Sequence, residues 1–220
     1  MRRVGRFAAG ASSVAVVMVA DVGFAASSGP ITADAVWHPD QGFLDRAHRQ
    51  CDARAGVNFA TCLGAAMAKA GASAAALAFA RRLGNDGYLQ ALKETAGPVA
   101  VAHVLYPFRA NENEAWLLVN GTPPLIDVDD QQYLALAAMR TSGAYEEIRR
   151  RYPNVTFWPG DRGVAGPAVA QVGREFVVDY LLRDLCHACA TIGRVRYAFD
   201  FNANGKFLGT RLVSVAVNAR

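Results

Sequence analysis

The sequence predicts an α+β fold: an antiparallel sheet of about five strands, with several short helices packed on one face and an N-terminal half that is helical. Two features of the sequence predict the α+β class. Apolar residues recur at three- and four-residue steps up to about Ala96, and at two-residue steps after Gly97-Pro98. Near the C-terminus, Asn204-Gly205 separates two alternating segments, as in a hairpin. With no internal repeat or linker, residues 42–220 are expected to form a single domain.

The N-terminus has the pattern of a secretory signal peptide. A basic start, Met1 to Arg6, precedes a mostly apolar run from Phe7 to Ala20, and Gly23-Phe24-Ala25 fits a small-x-small cleavage site. We therefore expect residues 1–25 to be removed near Ala25 and the mature protein to be periplasmic. The polar, small residues 26–41 predict a flexible leader.

Charge and hydropathy argue against two classes of partner. Removing residues 1–25 takes away three arginines and one aspartate, so the net charge falls from +4 to +2, too little to favour nucleic acid. No later stretch approaches the roughly 20 apolar residues of a membrane span. The mature chain is thus expected to bind no nucleic acid and to have no membrane span.

Helical periodicity begins at Phe43. The apolar faces are Phe43, Ala47 and Cys51 in one segment, and Phe59, Cys62, Leu63 and Met67 in the next. Ser73 is expected to cap a third helix that ends at Gly84. Asn85 or Asp86 is expected to cap a short fourth helix through Leu89 and Leu92.

The middle of the chain predicts a hairpin followed by helices. Val99 to Phe108 and Ala115 to Val119 are strand-like runs joined by a polar turn. A short segment, Leu125 to Val128, leads to Asp129 or Asp130, either of which can cap a helix through Met139. A further helix from Tyr145 to Arg151 stops before Pro153, and Asn154 to Arg162 contains a strand fragment.

The last fifty residues predict three strands with one apolar face. Phe176 to Leu182 alternates, and Arg194 to Phe201 and Lys206 to Val217 flank the Asn204-Gly205 turn. This turn would place Phe201 opposite Leu208, Phe199 opposite Thr210 and Tyr197 opposite Leu212. The opposite face would carry Arg194, Arg196, Asp200 and Arg211.

Four cysteines behind an export signal predict disulfides. Pairing each with its sequence neighbour, Cys51 with Cys62 and Cys186 with Cys189, is the simplest of three possible connectivities. The tetrapeptide Cys186-His187-Ala188-Cys189 falls between two predicted strands. A ring this short would hold the loop rigid and turn His187 outward, so His187, Cys186 and Cys189 are the predicted partner-binding residues.

Other readings of this tetrapeptide are less well matched. A redox dithiol normally places its first cysteine at a helix N-terminus, but a strand follows here. A zinc site would need His187 between both sulfurs, and covalent haem would need histidine at Ala190. His103, His48 and His38 are more typical of structural or solvent-exposed positions. Three aspartates that could surround a cation, Asp127, Asp129 and Asp130, are explained by a turn and a helix cap.

The order of elements over residues 174–213 resembles the periplasmic inhibitor of vertebrate lysozyme family. A long strand, a cysteine-bracketed loop containing histidine, and a return strand with an aromatic-rich hairpin occur in both. The family's loop reads Cys-Lys-Pro-His-Asp-Cys and plugs the lysozyme active site, whereas two residues separate the cysteines here. The resemblance implies that Cys186, His187 and Cys189 form the contact, with an imidazolium facing the carboxylates of a glycosidase.

The sequence thus predicts an exported, disulfide-stabilised binding protein whose partner is a protein, such as a lysozyme-like cell-wall hydrolase or a toxin. It is expected not to be an enzyme and to need neither cofactor nor metal. Two alternatives stay open. One is a periplasmic thiol-disulfide oxidoreductase that uses Cys186 and Cys189, and the other is an envelope factor that binds a small ligand or assists assembly.

Overall fold

The computed structural model describes residues 29–52, 59–109, 113–159, 168–170, 174–186 and 188–218. The α-helices in these ranges are α1 (Phe43–Asp52), α2 (Phe59–Lys69), α3 (Ala74–Arg82), α4 (Leu136–Arg140) and α5 (Gly143–Arg151). The strands are β1 (Tyr88–Lys93), β2 (Ala100–Leu105), β3 (Glu114–Val119), β4 (Leu125–Asp127), β5 (Val155–Pro159), β6 (Ala168–Ala170), β7 (Glu175–Asp184), β8 (Thr191–Phe201) and β9 (Phe207–Val217). The predicted α+β class is confirmed. These strands form two antiparallel sheets, however, rather than one sheet of about five.

The first sheet has the strand order β1-β2-β3-β4 and is covered on one face by α3. Ala102 and Val104 of β2 and Leu117 of β3 meet Phe79 of α3 in a buried cluster. Alternation along each strand turns the neighbouring side chains, such as Trp116, toward the second sheet. The first sheet is therefore buried on both faces.

Strand β1 replaces the helix predicted through Leu89 and Leu92. Ser73 caps α3 as expected, its hydroxyl accepting a hydrogen bond from Ala76 N at 3.0 Å. After α3, Gly84 and Asn85 both adopt positive φ, at 67° and 57°, which ends the helical path. The next residues instead pair with β2, with Leu89 opposite Val104. Pairing and burial in the sheet outweigh the local helical pattern.

The second sheet has the order β5-β7-β8-β9, with β6 also paired to β7. Its inner face meets the first sheet and α4 and α5 in the central core. The large buried side chains of this face are Phe176, Tyr180, Leu182, Tyr197 and Phe199. This central core thus joins both sheets.

The β8-β9 hairpin has the predicted faces and most of the predicted register. Tyr197 lies opposite Leu212 and Phe199 opposite Thr210, but Phe201 lies opposite Phe207 instead of Leu208. The register shifts at two bulges, where Leu208 and Val213 are left without a direct partner. Both are exposed, by 63% and 43%.

The outer face of the second sheet is charged, as predicted. Arg196 contacts both carboxylate oxygens of Asp179 across β7 and β8, at 2.8 and 3.2 Å. Arg211 reaches Glu175 at 2.8 Å and Asp200 at 3.5 Å. These ion pairs are exposed to solvent, so each adds little to the stability of the fold. They join neighbouring strands and therefore favour the observed strand register.

The segment expected to be a flexible leader is packed where the structure describes it, from Gly29 onward. Ile31, Ala35 and Trp37 are buried, and Trp37 packs edge-on against Phe43. The side chain of Asn120 accepts a hydrogen bond from Ile31 N at 2.6 Å and donates to Ile31 O at 2.8 Å. Three apolar residues in a short polar segment are enough to hold it to the domain. The predicted signal peptide, residues 1–25, lies outside the described residues.

Candidate functional site

The Cys186–Cys189 disulfide closes the turn between β7 and β8. Its Cα atoms are 5.0 Å apart. The position between two strands agrees with the sequence prediction, and the disulfide itself is present. Cys186 and Ala188 are exposed and Cys189 is half-buried. His187, predicted to face outward from this ring, lies outside the described residues.

Main-chain hydrogen bonds hold the turn on both sides of the disulfide. Asp184 N donates to Ala190 O at 3.2 Å, which extends the β7-β8 ladder to the ring. Within the ring, Cys189 N donates to Cys186 O at 3.0 Å. The turn is therefore fixed by the ladder and by the disulfide together.

Arg183, the second-to-last residue of β7, lies beside the ring. Its Nη1 donates to Cys189 O at 3.0 Å. Its Nε is buried and has no hydrogen-bond partner among the described residues. A guanidinium charge is thereby held close to the carbonyl of a disulfide cysteine.

Strand β5 supports the turn from the side opposite β8. Leu185 N donates to Asn154 O at 3.2 Å, and the hydroxyl of Thr156 lies 3.3 Å from both Arg183 O and Leu185 O. The same hydroxyl accepts a hydrogen bond from Trp158 Nε1 at 2.7 Å. The loop therefore has anchors on both of its neighbouring strands.

Leu185 is an exposed apolar side chain in this turn. Its φ is 80°, in the left-handed region that a leucine seldom adopts, and 62% of the residue is accessible. The alternation of β7 gave no sign of this residue, because the left-handed turn comes after the regular strand ends. Leu185, Arg183 and Thr156 are the site residues that sequence reasoning missed.

Of the other histidines, His103 has the structural role expected of it, and His48 and His38 are exposed. His103 on β2 stacks on Trp116 with ring centroids 4.3 Å apart, and its Nε2 lies 3.0 Å from Glu114 Oε2. His48 on α1 packs edge-on against Phe108. These contacts explain both rings without a ligand.

The aspartates near β4 serve as turn and cap. Asp127 accepts a hydrogen bond from Asp129 N at 2.9 Å, and Asp130 accepts one from Gln132 N at 3.0 Å at the start of a short 3-10 turn. The predicted turn is present, but Asp130 caps only the 3-10 turn Gln131–Tyr133. The helix predicted to run from this cap through Met139 is wrong in its start, because α4 begins separately at Leu136 after Ala135. Over the described ranges, no group of three or more histidine, cysteine, aspartate or glutamate side chains is placed to hold a metal ion.

The second disulfide, Cys51–Cys62, links α1 to α2, with Cα atoms 5.7 Å apart. Both cysteines are buried, close to a cluster that contains Trp37, Phe43 and Leu63. It belongs to the helical part of the domain and shares no residue with the β7-β8 turn. Each cysteine is therefore paired with its neighbour in the sequence, as predicted.

None of the helices in the described parts of the chain is long and apolar enough to cross a membrane. Comparison with protein-family models, with curated proteins and with solved structures finds no significant match to this chain.

Proposed function

We propose that this protein is an exported binding protein that presents the Cys186–Cys189 loop to a protein partner, without catalysis of its own. One observation carries the proposal: the turn is fixed by a disulfide and by both neighbouring strands, yet it exposes an apolar side chain, Leu185. An immobilised turn loses little conformational entropy when it binds. Its exposed leucine gains free energy by leaving water.

The free energy of binding that Leu185 alone would contribute is large enough to measure. Burying a leucine side chain fully is worth about 1.5–3 kcal/mol, and this one starts 62% accessible. A partner pocket that covers it would gain about 1–2 kcal/mol, or roughly tenfold in affinity. A structural role does not call for a leucine here, because a glycine adopts a positive φ more readily.

The proposed location and partner rest on the sequence. The basic, apolar and small-residue pattern of the first 25 residues supports export to the periplasm, and two disulfides suit that compartment. The resemblance to the periplasmic inhibitor of vertebrate lysozyme family supports a lysozyme-like hydrolase as partner. There, His187 would meet the paired catalytic carboxylates.

The test is inhibition of a panel of muramidases by the purified protein, with binding constants from calorimetry. We expect Leu185→Ala and His187→Ala each to weaken binding by about tenfold or more while the melting temperature stays unchanged. Leu208→Ala is the matched control, because Leu208 is equally exposed but lies on the hairpin at β9. Absence of inhibition, or equal losses from all three variants, would contradict the proposal.

A thiol-disulfide oxidoreductase is a second candidate, favoured by the exposed Cys186 and by the Arg183 guanidinium beside the ring. A nearby cation stabilises a thiolate and so increases its share at neutral pH. An insulin-reduction assay with dithiothreitol separates the two candidates. Turnover that is lost in Cys186→Ser but kept in Leu185→Ala would favour the oxidoreductase over the binding protein.

A further inference from the structure

A cleft of about 510 Å³ lies between β5 and the helical segment that precedes it. On one wall it is lined by residues 155–158 of β5, and on the other by residues that include Asp129, Leu136, Met139 and Arg140. We propose that this cleft binds an extended peptide segment, which pairs with the outer edge of β5 at Phe157 and places a carboxylate at Arg140. This inference does not rest on the function proposed for the disulfide loop.

The lining shows that the cleft runs along the edge of the sheet. Successive side chains of a strand point to opposite faces, so a cavity on one face would touch every second residue. Here four consecutive residues, Val155 to Trp158, line the same cavity. Among the described strands, β5 pairs with β7 alone, so its other edge is the one that faces the cleft.

The register of β5 determines which main-chain groups are available at that edge. Leu185 N donates to Asn154 O, so Asn154 and every second residue after it bond toward β7. Phe157 then directs its N–H and C=O toward the cleft, and no described loop or helix residue bonds to them, whereas Val155 N already donates to Tyr152 O at 3.1 Å. Pro159, which has no N–H, occupies another outward position, as prolines in edge strands do.

The walls suit a peptide better than a simple anion or a lipid. Half-buried Phe157, with Leu136 and buried Met139, provides apolar surface for one side chain, and Phe157 is fixed by stacking on Tyr180 at 4.9 Å. Arg140 is exposed and takes part in no ion pair among the described residues. Asp129 places the opposite charge in the same cleft.

These features together specify the ligand class. Main-chain donors and acceptors on a strand edge select another extended chain, as in peptide recognition by strand addition. The volume lies within the about 300–1,000 Å³ range of ligand-binding pockets. Because the exposed guanidinium of Arg140 and an apolar wall line the cleft, the expected ligand is an extended peptide with one apolar side chain and a carboxylate.

The experiment selects displayed random peptides of about twelve residues on the immobilised protein, enough to pair along the five residues of β5. The best peptide is then synthesised and its affinity measured by fluorescence anisotropy. We expect Arg140→Glu to weaken binding by at least about tenfold. Arg149→Glu, a charge reversal on exposed α5 outside the cleft, is the matched control and should change affinity less than about twofold.

Methylated peptides test strand pairing directly. Methylating alternate backbone nitrogens on one edge of the peptide should abolish binding, whereas methylating the intervening ones should not, because a strand bonds through one edge at a time. Three results would overturn the proposal: no enriched peptide, equal sensitivity to both methylation patterns, or affinity that is unchanged by Arg140→Glu. If Leu185→Ala lost binding and Arg140→Glu did not, the peptide would bind at the disulfide loop, and this result would also overturn the proposal.

Discussion

The phenol of Tyr180 donates a hydrogen bond to the main-chain carbonyl of Val128, and both residues are buried. Tyr180 belongs to β7 of the second sheet, and Val128 follows β4 of the first. The bond thus crosses the central core between the sheets. It satisfies a carbonyl that water cannot reach.

Tyr180→Phe tests this link. The variant keeps the ring but leaves the Val128 carbonyl without its donor, so we expect it to lower the free energy of unfolding by about 1–3 kcal/mol. Urea denaturation measures the loss. Tyr152→Phe is the control, because no hydroxyl bond of Tyr152 is seen among the described residues and little change is expected. Equal stability of the two variants would show that the bond contributes nothing.

Peptide mapping without reduction checks the connectivity. The purified protein should release Cys51 linked to Cys62 and Cys186 linked to Cys189, since each pair has Cα atoms within bridging distance. A peptide that joins Cys51 to Cys189 would contradict the structure. It would also tie the helical part of the domain covalently to the second sheet.

The two disulfides should differ in their effect on stability. Chain entropy predicts a loss of about 2 kcal/mol for Cys186→Ser with Cys189→Ser, and about 3 kcal/mol for Cys51→Ser with Cys62→Ser, because the second pair closes a longer loop. Chemical denaturation of both double variants gives the comparison. An unfolded Cys186→Ser, Cys189→Ser variant would mean that the turn is part of the folding core and does not merely project from it.

Thr156→Val should loosen the turn without unfolding the domain. The variant removes the hydroxyl near Leu185 O and Arg183 O, and with it the hydrogen bond from Trp158 Nε1 to Thr156 Oγ1. We expect a loss of about 1–2 kcal/mol and faster hydrogen exchange in a peptide covering residues 183–190. Thr141→Val, at the exposed end of α4, is the control. Unchanged exchange would show that β7 and β8 hold the turn unaided.

Stability should fall at alkaline pH. Burial raises the pKa of Tyr88, Tyr106 and Tyr197 from 10.0 to about 12. The unfolded chain therefore loses these protons before the folded chain does, so stability holds below about pH 10 and declines as the pH rises toward 12. Urea unfolding between pH 9 and 12, with tyrosinate absorbance as the probe, follows both changes. Constant stability across this range would mean that the three phenols ionise equally in both states.

The sequence predicts the parts of the fold that depend on local patterns and misses those that depend on pairing between distant segments. The faces of β7, β8 and β9 were predictable because alternation and an Asn-Gly turn are local patterns. The bulge at Leu208 was not, since it arises where Phe207 replaces it opposite Phe201. Strand β1 was missed for a related reason: its pairing with β2 outweighs a locally helical pattern.

The residues of the candidate site also divide into those that the sequence predicts and those that it does not. The ring of Cys186 and Cys189 was visible in the spacing of the cysteines. The contribution of Thr156 was not, because it lies 29 residues from Leu185 and meets it only when β5 pairs with β7. Contacts of this kind depend on the register between distant strands, which no local pattern encodes.

The main-chain hydrogen bonds that hold the turn run from Asp184 to Ala190 and from Cys189 to Cys186. Ala188 lies between the two cysteines, is exposed, and takes part in neither of these bonds. Under the proposed binding function, positions 187 and 188 would determine partner choice while the strands keep the scaffold unchanged. A small library at these two positions would then be expected to yield binders with one fold and different targets.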